Sequence, residues 1–395
     1  MKAIAKINCF LLTFWLAIAP VHAAVPTKAK AGTKAGVPVK ANAKAKAKAK
    51  VKTKAKAKTK AIQASRTGSS ARLPGFDPAD ESSLDAEVAA ARRILAANPR
   101  DIEARERLAR AAVALIDLLL NAEAVGDSIK VERLSQKLRE DLHDTGWRIQ
   151  KMSQKGDLRA SQATGLLLGR GILLQKDAEK SCTEFLAAAE QLAPAAWHAA
   201  QCVMEASSDK AWVLMDRAAG RGHATAQEWM GRRCLGEFGA KEKDFACARE
   251  YLAQSASQGR SRAQTLLAYL LMNGQGGPVD VSRATRLYKL AAEQGDADAQ
   301  NNLGEIHEMG RGTTANLDEA LTWYERAAER GLGSAQFNAG RLWAIGVGER
   351  KDPAKARALL VQAEANGVAQ ARQVLEWLDR QSLPTPDASG ATNKH

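Results

Sequence analysis

No acidic residue occurs in this 395-residue chain before Asp77. Aromatic residues are scarce, at 5% against 45% hydrophobic residues overall, so most of the apolar content is small or aliphatic, as closely packed helices require. No apolar run is long enough for a comfortable membrane span; the one near the start, about Ile7 to Ala19, falls short of the roughly 20 residues a bilayer demands. His307-Glu308 lacks the second histidine of a zinc-binding helix, and no nucleotide loop or catalytic triad is evident. Metal, cofactor and enzymatic activity are therefore not expected.

What stands at the start is a short secretory pattern. Lys2 and Lys6 precede the apolar run, and Val21-His22-Ala23 follows it with small residues suited to cleavage, so residues 1–23 read as a signal peptide for export to the periplasm. Lysines resume at Lys28 and work against translocation, which leaves an uncleaved inner-membrane anchor as the alternative. From residue 24 to about 82 the chain is low in complexity and alternates Lys with Ala. Thirteen lysines, Arg66 and Arg72 give this tail +15 and the signal adds +2; the net +14 of the whole then leaves −3 for residues 77–395. Like charges on alternate residues repel and offer no apolar face, so the tail is expected to be disordered and to attract anionic envelope material. Nucleic acid is expected as a partner of this tail only if the signal is false.

The rest is organised by a repeat. Gly222, Gly259, Gly295, Gly331 and Gly367 are spaced by 37, 36, 36 and 36 residues, and the first four are each followed four residues on by Ala-Gln. A second series, Gly274, Gly310 and Gly346, has another glycine two residues later. Between the anchors, apolar residues fall at helical spacing: Ala299, Leu303 and Ile306, then Ala320, Trp323, Tyr324, Ala327 and Ala328. Small residues (Gly231, Ala268, Gly304, Gly340) stand at one fixed offset and bulky ones (Met215, Leu252, Tyr288, Tyr324, Leu360) at another. Each unit is thus expected to be a helical hairpin whose apolar face only its neighbours cover.

Ala-x-Ala-Gln-x-x-Leu-Gly (Ala297 to Gly304), Gly-x-Gly (Gly310 to Gly312) and Glu-Ala-x-x-Trp-Tyr-x-x-Ala-Ala-Glu-x-Gly (Glu319 to Gly331) resemble the Sel-one-like repeat family, α/α-hairpin solenoids related to tetratricopeptide repeats. The resemblance implies an all-α solenoid that binds other proteins, here a scaffold or adaptor for proteins of envelope or peptidoglycan metabolism, and no enzyme. It covers four units over 223–367, with degenerate units over 157–222 meeting near Leu192. Residues 83–156 look like a tetratricopeptide-type helical region in which Pro99 suits the first turn of a helix from about Arg100 to Asn121. A capping helix is expected over 368–381 and a disordered tail over 382–395.

Four cysteines remain after the signal, and spacing alone allows three pairings or four buried thiols. Cys234 and Cys247 lie symmetrically about one turn and Cys182 and Cys202 about another, which predicts those two disulfides. Ser207-Ser208-Asp209-Lys210 fits a Ser-x-x-Lys nucleophile pattern of penicillin-binding proteins, but Lys-Thr-Gly is absent and the segment sits where a helix should begin, so capping is expected and weak penicillin hydrolysis is the alternative. His307 occupies a slot held by Leu271 and Trp343 in sister units and is expected to pack. The remaining candidate is the face made by the first helices. There Gln300, Gln336, Asn302, Asn338, Arg341 and Trp229 are expected to meet a partner, the amides because they donate and accept together.

Overall fold

The computed structural model describes residues 81–382 except 241 and 348–350. The signal expected over 1–23, the basic segment up to residue 80 and the residues from 383 on lie outside the described residues. Among those described, the regular elements are seventeen α-helices, with no β-strand.

Four helices precede the repeats: α1 (Glu81–Ala97), α2 (Ile102–Val125), α3 (Ser128–Asp141) and α4 (Gly146–Gln154). Pro99 lies in the turn rather than in the first turn of α2, because Asp101 takes the cap and accepts from the Ala104 amide at 2.8 Å. α2 runs past Asn121 to Val125 and stops where Gly126 enters the left-handed region at φ 86°. Its Leu108, Ile116, Leu119 and Leu120 are almost fully buried, and every residue from Ala111 to Ile116 is buried, which takes in all faces of the helix. A stretch buried all round, as the middle of α2 is, must have neighbours on every side.

Six hairpins follow. They are α5 (Leu158–Arg170) with α6 (Ala178–Ala188), α7 (Ala193–Val203) with α8 (Ser208–Gly220), α9 (Ala224–Cys234) with α10 (Phe245–Ser257), α11 (Ser261–Met272) with α12 (Val281–Glu293), α13 (Ala297–Met309) with α14 (Leu317–Glu329), and α15 (Gly333–Ile345) with α16 (Pro353–Ala365). Each helix packs on the next in sequence, and α17 (Gln370–Ser382) closes the stack against α15 and α16. Most second helices begin on a side-chain oxygen: Asp244, Asp280, Asn316 and Asp352 each accept from an amide two or three residues on, worth about 1 kcal/mol per cap.

The anchor glycines all have φ between 83° and 92°, a conformation that costs a residue with a Cβ. In the worn part the equivalent position is Gln191, one residue earlier than the Leu192 boundary that the sequence spacing gives, since Leu192 is the N-terminal cap of α7. The small and bulky series interlock as expected. A Cβ on Gly304 would come within 2.5 Å of the Tyr324 ring, one on Gly231 within 2.7 Å of Leu252, and one on Gly340 within 2.8 Å of Leu360.

Candidate partner-binding groove

The first helices of the hairpins, α5, α7, α9, α11, α13 and α15, share one face, and α2 lies across the first three of them. At 24 residues it is about 36 Å long, enough to cross three helices packed roughly 10 Å apart. Asp117 accepts from Gln162 Nε2 at 2.8 Å, with Arg159 at 3.8 Å. Glu123 pairs with Arg170, and His198 Nε2 stands 3.8 Å from its other oxygen. Thr225 of α9 donates its hydroxyl to the Ala124 carbonyl at 2.7 Å, and the Arg260 guanidinium lies over Gly126 where α2 ends. Burial pushes the Asp117 carboxyl up to about 6 despite Arg159 and Gln162. Burial, with Arg170 adding to it, pushes His198 down to about 4, and burial takes His223 to about 3.

Beyond Gly126 nothing described covers the same face of α11, α13 and α15. Counting from each anchor, the seventh residue is His198 under α2, then Trp229, Leu266, Asn302 and Asn338; the last three are half-buried and open to solvent. Asn338 Nδ2 donates to Asn301 Oδ1 at 3.1 Å, and Asn301 Nδ2 donates to Glu305 Oε1 at 2.9 Å. Arg341 grips both oxygens of Glu308 at 2.6 and 2.8 Å, and the Tyr324 hydroxyl donates to the same carboxylate at 2.9 Å. Tyr269 protrudes, 44% exposed. Burial raises the Glu305 carboxyl above its ordinary range.

Gln300 and Gln336 stand apart from these residues. Both are 4% exposed, and each donates Nε2 to a carbonyl eight residues earlier, Gln300 to Ala292 at 3.0 Å and Gln336 to Ala328 at 3.4 Å. Gln227 and Gln264 do the same with Ala219 and Ala256. The repeated Ala-Gln is thus a clamp from the start of a first helix to the end of the preceding second helix, and its amide is spent inside the protein. Trp229 is covered as well: Phe238 stacks on it at 4.7 Å, nearly parallel, and the Arg232 guanidinium sits over both rings.

Both cysteine pairs are disulfides. Cys182–Cys202 ties α6 to α7, and Cys234–Cys247 closes the hairpin of α9 and α10. Ser207 takes the cap position of α8 with extended backbone, but its side chain makes no cap hydrogen bond. His307 is partly buried and places Nδ1 2.8 Å from Glu319 Oε2. Among the described residues no cluster of His, Cys, Asp or Glu is arranged to hold a metal, and no helix is long and apolar enough to cross a membrane. The cover by α2 was not anticipated from sequence, although the continuous apolar run from Ala111 to Ile116, with no polar face, was its signal.

The family model described as the Sel1 repeat matches residues 224–259, 261–296, 297–332 and 333–368. A protective antigen of uropathogenic Escherichia coli strains, c5321, which displays an SLR fold, superposes with a TM-score of 0.59 at 23% identity over 76% of this chain. The chain spans 65% of that protein, under two thirds of its length. A Sel1 repeat protein from Oxalobacter formigenes aligns at 25% identity over 62% of this chain and 96% of its own, with a TM-score of 0.45. No curated protein matches the chain.

Proposed function

Residues 224–368 are four Sel1 repeats, modules that generally mediate protein–protein interaction, and from that premise we propose that the protein is a non-enzymatic scaffold of the bacterial cell envelope. Its partner surface is the groove on α11, α13 and α15. The observation that carries this reading is the unequal cover of the face: α2 fills the part on α5, α7 and α9 and leaves Leu266, Asn302 and Asn338 uncovered. Those two asparagines, with Arg341, are the partner contacts; Gln300 and Gln336 hold them in register.

Two disulfides favour an oxidising compartment such as the periplasm, where a tail bound to chromosomal nucleic acid has no role. The lysine tail supplies a second, less selective attachment, to lipid phosphates, acidic polysaccharide or wall carboxylates of envelope and peptidoglycan. Affinity capture from isolated envelopes tests the division. Asn302→Ala with Asn338→Ala should lose the captured protein and keep envelope association; deletion of residues 28–66 should do the reverse, with the association salt-sensitive because the Debye length is roughly 10 Å at 0.1 M. Capture that vanishes with the tail and survives the double substitution would make the tail the recognition element.

A further inference from the structure

The protein carries its own example of what this groove holds. α2 is a helix, its carboxylates Asp117 and Glu123 meet Arg159 and Arg170 on α5, and it ends at Gly126 beside Arg260, the residue that caps α11. The open groove continues from there with a carboxylate, Glu305, on α13. Arg262 is matched by Asp298 at 2.8 Å and Arg341 by Glu308 at 2.6 Å, while Glu305, with the Arg311 and Arg341 charges in its surroundings, forms no ion pair among the described residues. Among the described residues only the Asn301 amide donates to Glu305, which is half-buried on α13. A carboxylate in that position lacks a charged donor, and an incoming one gains a charge-assisted bond, about twice the strength of a neutral one. Next to it, at the same tenth position of the preceding unit, Tyr269 stands exposed, with half-buried Leu266 beside it.

Building on the scaffold reading above, we propose that the open groove binds an α-helix of a partner protein, which sets a lysine or arginine over Glu305 and rests small apolar residues on Leu266 and Tyr269. Continuity with the seat of α2 argues for a helix rather than an extended strand. The Glu305 carboxylate, which forms no ion pair among the described residues, argues for a basic helix rather than an acidic one. Burial raises the Glu305 carboxyl, and Glu308 adds to the rise against the lowering pull of Asn301, Arg311 and Arg341.

Synthetic helices test this against the full chain, by fluorescence anisotropy at 150 mM salt. One peptide has the α2 sequence, residues 102–125; a second carries Asp117→Lys and Glu123→Lys; a third adds Ala112→Pro to the second to break the helix. The lysine helix should bind at least tenfold more tightly than the unmodified one, and Glu305→Gln in the protein should reduce that gap to less than threefold. Gln preserves an acceptor for Asn301, and a melting curve checks its fold. Tyr269→Ala, at an exposed position, should weaken both helical peptides equally. Failure of the lysine helix to bind, indifference to Glu305→Gln, or equal binding of the proline peptide would overturn the proposal. So would light scattering that shows the chain dimeric through this face, with Glu305→Gln restoring the monomer. Envelope capture that depends on Asn302 and Asn338 while these peptides fail would preserve the scaffold function and refute the basic helix alone.

Discussion

Arg330 deprives Gln300 of a hydrogen bond that every sister glutamine in the repeats enjoys. In the other units the residue just before the next anchor glycine is an amide that donates to the clamp: Gln258 to Gln227 at 2.7 Å, Gln294 to Gln264 at 2.9 Å, and Asn366 to Gln336 at 2.8 Å. At that position in the fifth unit Arg330 turns its guanidinium over Gly295, and Gln300 Oε1 stays buried with no partner.

An unmade bond to a buried acceptor has a cost, so Arg330→Gln should stabilise the protein by about 1 kcal/mol. Urea denaturation should show a higher midpoint with an unchanged slope. The control is Gln294→Ala, which removes the donor from Gln264 and should lower the midpoint by a similar amount. If Arg330→Gln lowers the midpoint, the guanidinium over Gly295 contributes more than the missing bond.

Close approach of the two helices of a hairpin sets the second prediction. Gly304 faces the Tyr324 ring so closely that even a Cβ would lie 2.5 Å from it, and Tyr324 is fully buried with its hydroxyl on Glu308. Gly304→Leu should therefore cost on the order of 1–3 kcal/mol or more by overpacking. Solenoid stability is a sum over neighbouring units, so hydrogen exchange should rise mainly in α11 to α16 and little in α1 to α4. An unchanged melting curve would show that the helices do not meet at this pair.

These two positions show what could be read in the sequence. Gly304 and Tyr324 recur at fixed offsets, and local periodicity was enough to predict that a small and a large residue interlock. The role of the glutamines was not legible in the same way. Gln300 lies next to the buried Ala299, and a polar residue beside a core position reads equally as solvent-facing or as turned inward to a carbonyl; only the helix end that packs above it decides. The cover by α2 is less local still. Thr225 and Ala124 are 101 residues apart, and no pattern within one helix reports which distant face it will occupy.

The disulfide of the third unit makes a third prediction. Cys234 and Cys247 are 13 residues apart, so their bond closes a short loop and should contribute about 3 kcal/mol in the chain-entropy estimate. Non-reducing digestion should recover Cys234 with Cys247 and Cys182 with Cys202. The loop between Cys234 and Cys247 also carries Phe238 onto Trp229, so Cys234→Ala with Cys247→Ala should change tryptophan fluorescence before global unfolding. Four free thiols in protein taken from the periplasm would refute the pairing and the compartment together.

Acid should act on the seat of α2 through three groups whose effects have opposite signs. His198 and His223 are neutral in the folded protein, at about 4 and about 3, against an ordinary 6.5. The unfolded chain takes up their protons first, so the stability they confer is fully present above pH 6.5 and is lost as pH falls toward 4. Asp117 works the other way. Its folded value of about 6 exceeds the ordinary 3.8, so the folded state holds the extra proton between those values, and its contribution is greatest below pH 3.8 and gone above pH 6. Two histidines outweigh one aspartate, and stability should fall between pH 6.5 and 4.5. His198→Gln should flatten that fall by about one proton, or roughly 1.4 kcal/mol per pH unit. Asp117→Asn removes the opposing group, so it should raise stability at pH 7.5, where the buried carboxylate is charged, and steepen the fall on acidification. Urea midpoints measured from pH 4.5 to 7.5 for the three proteins check this; parallel curves would mean that these groups titrate alike in the folded and unfolded chain, and that α2 is not held over buried ionisable groups.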